Sequence, residues 1–163
     1  MTISMYAITV PVFTRYLNNL DAILVKAEVN AAERKIKPEV LASSRLAPDM
    51  LPLTFQVQST TDRIKFLLAR LTGQTPPSWE DSETTLEQLR GRIQKALAYL
   101  ATFSEADLAG KEDGTVTIRD KQVPALEHAL YNAIPQIFFH ITAAYSILRH
   151  NGVPIGKGDF LGS

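Results

Sequence analysis

Apolar residues return along this chain at alternating steps of four and three, in four separate stretches. Tyr6, Val10, Phe13, Leu17, Leu20, Leu24, Ala27 and Ala31 form the first series, and Leu53, Val57, Thr60, Ile64, Leu67 and Leu71 the second. Leu86, Leu89, Ile93, Ala96, Leu100 and Phe103 form the third, and Leu130, Ile134, Ile137, Ile141, Ala144 and Leu148 the fourth. An α-helix turns once in about 3.6 residues, so this rhythm keeps each series on one stripe that must be buried. Four helices are predicted. The first ends at the charged run Glu33 to Lys37 and Pro38, with Pro11 tolerated near its start or at the cost of a kink. The second stops at Gly73 and Pro76-Pro77. The third is expected to start at Ser82, followed three residues later by Thr85, with Glu83 in the first turn; Gly91 weakens it modestly.

The intervening segments are short of structure. PEVLASSRLAPDM has room for one helical turn before Pro48 and Pro52. Thr115 to Ile118 alternates polar and apolar, and Gln122-Val123 can pair with it across Arg119 to Lys121, which predicts a small hairpin lid. The tail GVPIGKGDFLG lacks the strand-loop-helix context and the GKS/T ending of a phosphate loop; its glycines permit turns that lay Phe160 and Leu161 onto the helices. There is no repeat and no low-complexity linker. The four stripes must therefore face one another, giving an all-α four-helix bundle with a β-hairpin before the last helix.

Composition narrows the possibilities. At 163 residues with 45% hydrophobic content, one substantial core and a single domain over 1–163 are expected. Seventeen basic and seventeen acidic residues cancel, so no net field attracts nucleic acid or an anionic membrane. The chain has no cysteine, which removes disulfides, thiolate metal sites and a cysteine nucleophile, and fits a reducing compartment. MTISMYAITVPVF has no basic n-region of a signal peptide, and no segment reaches the length of a membrane span. A cytoplasmic protein is expected.

Candidate chemistry rests on three histidines, His128, His140 and His150, twelve and ten residues apart. On one helix these spacings amount to roughly 18 Å and 15 Å of axial rise, too far for one ion within a protomer. His150, beside Asn151-Gly152, reads as a helix-end or solvated residue, and His128, beside Glu127, as an exposed polar one. His140 stands among Phe138, Phe139, Ile141 and Ala144, where an imidazole is either bonded to one core partner or lines a site. Gln136 lies one turn earlier, where an HxxxH pair would have its other histidine, and a glutamine amide is a poor ligand for a zinc-like ion. Gln58 and Asp62 read as a solvated polar pair, Trp79 as an anchor for its loop, and Tyr131, Phe138 and Tyr145 as an aromatic stripe for core or dimer packing.

The segments SMYAITVPVFTRYLNNL, RLAPDMLPLTFQVQSTTD, PSWEDSETT and FFHITAAYSILRHNGVPIGKGDFLG resemble an uncharacterised bacterial domain-of-unknown-function family grouped with the DinB/YfiT-like bundles. The resemblance covers essentially the whole chain. It implies an up-down-down-up bundle, commonly dimeric, in a superfamily that includes metal-dependent thiol transferases, isomerases and hydrolases. It also implies a metal held by one histidine on the second helix and an HxxxH pair on the fourth. The corresponding positions here are Gln56 and Thr60, then Gln136 and His140.

Three functions follow as expectations. The first is a metal-free bundle that binds a small molecule or partner in an inter-helix cleft lined by Gln56, Thr60, Gln136 and His140. The second is a metal-dependent transferase or hydrolase, using zinc or nickel, with an atypical site completed by Glu127, Asp62 or another protomer. The third is a non-catalytic dimeric interaction protein. The poor donor set favours the first, with no resident metal. A homodimer is expected, because Tyr6, Tyr16, Phe139 and Ile147 add apolar surface beside the seams.

Overall fold

The computed structural model describes residues 4–163. Helix α1 spans Met5–Glu33, α3 Leu53–Thr72, α4 Leu86–Leu100 and α7 Ile134–His150. These four make the bundle: α3 packs against α7 and α4, α4 also against α1, and α1 closes the ring on α7. Short helices lie between or after them, α2 at Pro38–Ala42, α5 at Glu105–Leu108, α6 at Ala125–His128 and α8 at Lys157–Leu161.

The sequence explains the boundaries. Pro11 lies in α1 on the exposed side, so the carbonyl it leaves without a donor faces water. Gly73 caps α3 in the left-handed conformation at φ 72°, the conformation glycine adopts most readily. The start of α4 differs from the expectation: Thr85 is its N-cap and Gln88 completes a capping box, three residues beyond Ser82. Glu83 is instead drawn into an ion pair, which leaves the loop before α4 extended.

The hairpin has β1 at Thr115–Ile118 and β2 at Lys121–Pro124, with Ile118 opposite Lys121. Its turn is therefore Arg119-Asp120 alone, with Lys121 already in the strand. Val116 is buried in the core, which seats the hairpin beside α3.

The buried side chains form one cluster, and nearly every predicted stripe residue of the first three helices is in it. The last helix is different. Its seam runs Ala125, Ala129, Ala133, Ile137 and Ile141, at uniform steps of four, while Leu130 and Ile134 fall to its flank. Steps of four drift around an α-helix of 3.6 residues per turn, and a π-helical turn over Ala129–Ala133 absorbs the drift. Pro135, which cannot donate a helical hydrogen bond, follows at once.

The tail folds back onto α1. Arg15 donates to the Leu161 carbonyl at 3.1 and 2.8 Å, Asn19 to that of Phe160 at 3.0 Å, and Phe160 lies against Tyr16 and Tyr145.

Candidate functional site

His140 is brought to α3 by the seam of α7, and it is 7% exposed. Its Nδ1 lies 2.8 Å from Gln56 Oε1, while the Gln56 amide nitrogen donates to the Leu51 carbonyl at 2.9 Å. The second bond turns the Gln56 oxygen toward the ring, so this network assigns the proton to Nδ1, which donates, and leaves Nε2 as the unprotonated nitrogen. Phe55 and Phe139 stand edge-on to the imidazole at 6.0 and 5.3 Å. Burial, and secondarily the charge of Arg63, lowers the His140 pKa to about 4, so the ring is neutral at pH 7. The Thr60 hydroxyl donates to the Gln56 carbonyl at 2.8 Å, a bond along its own helix.

Gln136 does not join them. Its amide donates to Asn132 at 2.6 Å and lines a different space, a cleft of about 860 Å³ between α3, the hairpin and the α6–α7 limb. Arg63 and Arg70 from α3, Arg119, Asp120 and Lys121 from the hairpin, and His128 and Asn132 from the limb line it as well. The π turn keeps His128, Asn132 and Gln136 on one face, looking into the cleft. Beyond it α7 is regular, and the next four residues turn about 40° past a full circle, which carries His140 from that face into the bundle. Arg63, one turn beyond Thr60, joins the two places, since it lines the cleft and its charge reaches His140.

Two groups in the cleft are unusual. Arg63 Nε and His128 Nε2 are buried, and neither has a hydrogen-bond partner among the described residues. Burial, with the nearby charge of Arg70, lowers the His128 pKa as well. His128 is thus half-buried in a cleft where an exposed position was expected, whereas His150 is exposed. The signal lay in the sequence as the spacing His128, Asn132, Gln136, together with Arg63 and Arg70 seven residues apart on α3.

The residues do not fit the three-histidine metal set that the resemblance implies. Among the described residues no three His, Cys, Asp or Glu side chains gather to hold an ion. Where a second-helix histidine would stand, Gln56 directs its oxygen to His140, and Gln136 faces away into the cleft. Asp62 is committed elsewhere: it binds Arg92 at 2.9 Å and Lys65 at 2.7 Å.

That pairing belongs to a second charged region, which sequence reading took for a solvated surface. The Arg92 side chain is fully buried, and it bonds Asp62, Asp81 at 3.0 Å, Glu83 at 3.3 Å, the Thr61 hydroxyl at 3.0 Å and the Glu80 carbonyl at 3.0 Å. Gln58, also buried, donates to Glu83 at 2.9 Å. Trp79 takes the Lys65 ammonium and the Arg92 guanidinium over its ring at 4.5 and 5.2 Å. The segment PPSWEDSETT is thereby fastened to α3 and α4.

Fold and site define an all-α bundle with a small hairpin before its last helix, a neutral buried histidine and a basic cleft. The family model for a domain of unknown function, DUF1993, matches residues 5–161, and the chain belongs to that family. It is similar to the crystal structure, at 1.83 Å resolution, of a DinB family member protein from Shewanella denitrificans. That match has 48% identity and a TM-score of 0.93, and it covers 98% of this chain and 92% of the other. The fold is accordingly DinB-like. No curated protein matches the chain.

Proposed function

We propose that this DinB-like bundle is a metal-free binding module that takes a small molecule in the cleft between α3, the hairpin and the α6–α7 limb. One observation carries the reading: two buried polar groups, Arg63 Nε and His128 Nε2, belong to residues lining one cleft and lack partners. Leaving such a group unsatisfied costs about 1–3 kcal/mol, which a ligand recovers once the side chain turns to meet it. The cavity by Glu28 and Glu87 has one such atom, Glu28 Oε1, but no cluster of cations, and the other oxygen of Glu28 is paired with Arg90. In this reading His140, Gln56 and Thr60 form the rigid wall behind Arg63 and hold the ends of α3 and α7 in register.

The test is a metal analysis of protein purified without a histidine tag, followed by an amide-resolved NMR screen of small-molecule fragments. The expected result is no stoichiometric metal, with saturable shifts at His128, Asn132 and Arg63. Stoichiometric zinc or nickel would overturn the metal-free reading in favour of a metal-dependent transferase or hydrolase, and saturable shifts confined to other surfaces would overturn the choice of cleft.

The same reading includes a cytoplasmic homodimer. A cysteine-free chain suits that compartment. Of the residues expected to remain outside the protomer, Ile147 is fully buried and Tyr6 and Tyr16 pack against the core, while Phe139 stays 59% exposed. Phe139, Leu46 and Met50 border an apolar groove on the outer face of α7, and a second copy is the occupant we assign to it. Light scattering at tens of micromolar should give a dimer; a monomer at that concentration contradicts it.

A further inference from the structure

We infer that the ligand of this cleft is a small, multiply charged anion carrying carboxylate or phosphate groups, gripped between Arg63 and Arg70 on α3 and Arg119 and Lys121 on the hairpin. The inference rests on the cleft-binding reading and adds the chemical class. The chain as a whole is neutral, with seventeen charges of each sign. The cleft is not: four cations line it against one carboxylate, Asp120.

Three cations packed into the bundle elsewhere are answered within the chain. Arg90 is bound by Asp21 and Glu28, Arg92 by three carboxylates and Lys65 by Asp62. None of the four cleft cations has an ion pair among the described residues. For a solvated lysine that would be ordinary. For Arg63 it is not, because its Nε is buried away from water and still has no acceptor. Guanidinium groups match the planar, two-oxygen face of a carboxylate or phosphate, and several cations around one space favour a ligand with more than one negative group.

The hairpin supplies an independent sign. Arg119 occupies the first position of the two-residue turn at φ 48°, and glycine is the residue favoured for a positive φ there. An arginine in that conformation strains the backbone, and its place is the rim of the cleft. Asn132 and Gln136 complete the lining with neutral polar groups. The volume, about 860 Å³, falls in the range of metabolite sites and exceeds what a bare phosphate fills.

Titration calorimetry at low salt, with inorganic phosphate, pyrophosphate and citrate as separate probes, tests the class and separates phosphate from carboxylate ligands. Saturable binding of pyrophosphate or citrate is expected. Arg63→Gln and Arg119→Gly should each weaken it about tenfold or more, the loss of one charge-assisted contact, while Arg149→Gln, at the far end of α7, should not. Arg119→Gly also relaxes the turn, so thermal unfolding should show a fold at least as stable as the parent while affinity falls. Equal weakening by Arg149→Gln, or preference for a single-stranded oligonucleotide over the small anions, would overturn the inference. So would the absence of saturable binding by any of the three probes. In that event neutral fragments that still shift the amides of His128 and Asn132 would leave the cleft-binding reading standing; silence from both kinds of probe would sink the two together.

Discussion

Lys65 and Arg63 are two residues apart on α3 and meet opposite fates. Lys65 is 3% exposed, bonded to Asp62 and placed over Trp79. Arg63 turns to the other flank, where its buried Nε finds no partner. The difference comes from what each connecting segment brings. The loop before α4 delivers Asp81 and Glu83 to the Arg92 side, so the charges there are answered within the chain. On the Arg63 side the hairpin delivers Arg119 and Lys121, which add to the imbalance. A buried charge destabilises a fold unless it is compensated, and the first region is answered within the chain; in the second, Arg70, Arg119 and Lys121 face water and the Arg63 Nε alone is left buried without a partner among the described residues.

The sharpest way to break this comparison is to remove Arg92. Arg92→Ala leaves Asp62, Asp81 and Glu83 facing one another without their shared cation, and the expected loss is about 3–5 kcal/mol in urea unfolding. A loss below about 1 kcal/mol would mean that the network is solvated after all and that the contrast with the cleft is false.

An intermediate effect is expected at His140. Its folded pKa, about 4, lies below the ordinary value of 6.5, so the unfolded chain binds the extra proton first as the pH falls. Its contribution is fully present above about pH 6.5 and is lost as the pH falls toward about 4, with a slope of up to about 1.4 kcal/mol per pH unit. The slope is isolated by comparing urea unfolding of the parent with His140→Gln across that range. Parallel pH profiles would show that the imidazole is not held neutral by the fold.

The smallest effect is the most telling. Arg63→Gln in the ligand-free protein should cost no more than about 0.5 kcal/mol of stability, because no native ion pair is lost, and any larger change should be a gain, because the unpartnered Nε is removed. A loss comparable to that of Arg92→Ala would reveal a partner for Arg63 and close the gap between the two regions.

These regions were unequally legible in the sequence. The stripes of α1, α3 and α4 could be read directly, since periodic burial is a local property of a regular helix, and the link between His140 and Gln56 followed from seating two such helices side by side. The Arg92 network could not be read. Its members come from residues 58 to 92 on two helices and a loop, and only the folded loop shows that Glu83 serves Arg92 and not the start of a helix. The grouping of Gln136 with His140 failed for a different reason: four residues along the regular α7 turn about 40° past a full circle, which carries His140 into the bundle and leaves Gln136 on the flank that faces the cleft. An unbroken helical period across Ala129–Ala133, where the π turn lies, put Tyr131 in an aromatic stripe with Phe138 and Tyr145, yet Tyr131 is 79% exposed while Phe138 packs edge-on against Tyr16.

A π turn is equivalent to one residue inserted into an α-helix, and that equivalence gives this segment a simple genetics. Deleting a single residue there restores a uniform α-helical turn, and the side chains on its N-terminal side keep their faces, because the wider turn had absorbed the extra residue. Ala129 then stays on the seam and His128 stays on the face toward Arg63 and the hairpin, with no change to α7 beyond Pro135. One codon can thus be gained or lost inside this turn while the apolar seam through Ala125 and Ala129 and the cleft face at His128 stay where they are, a tolerance that a regular α-helix packed on both sides does not have.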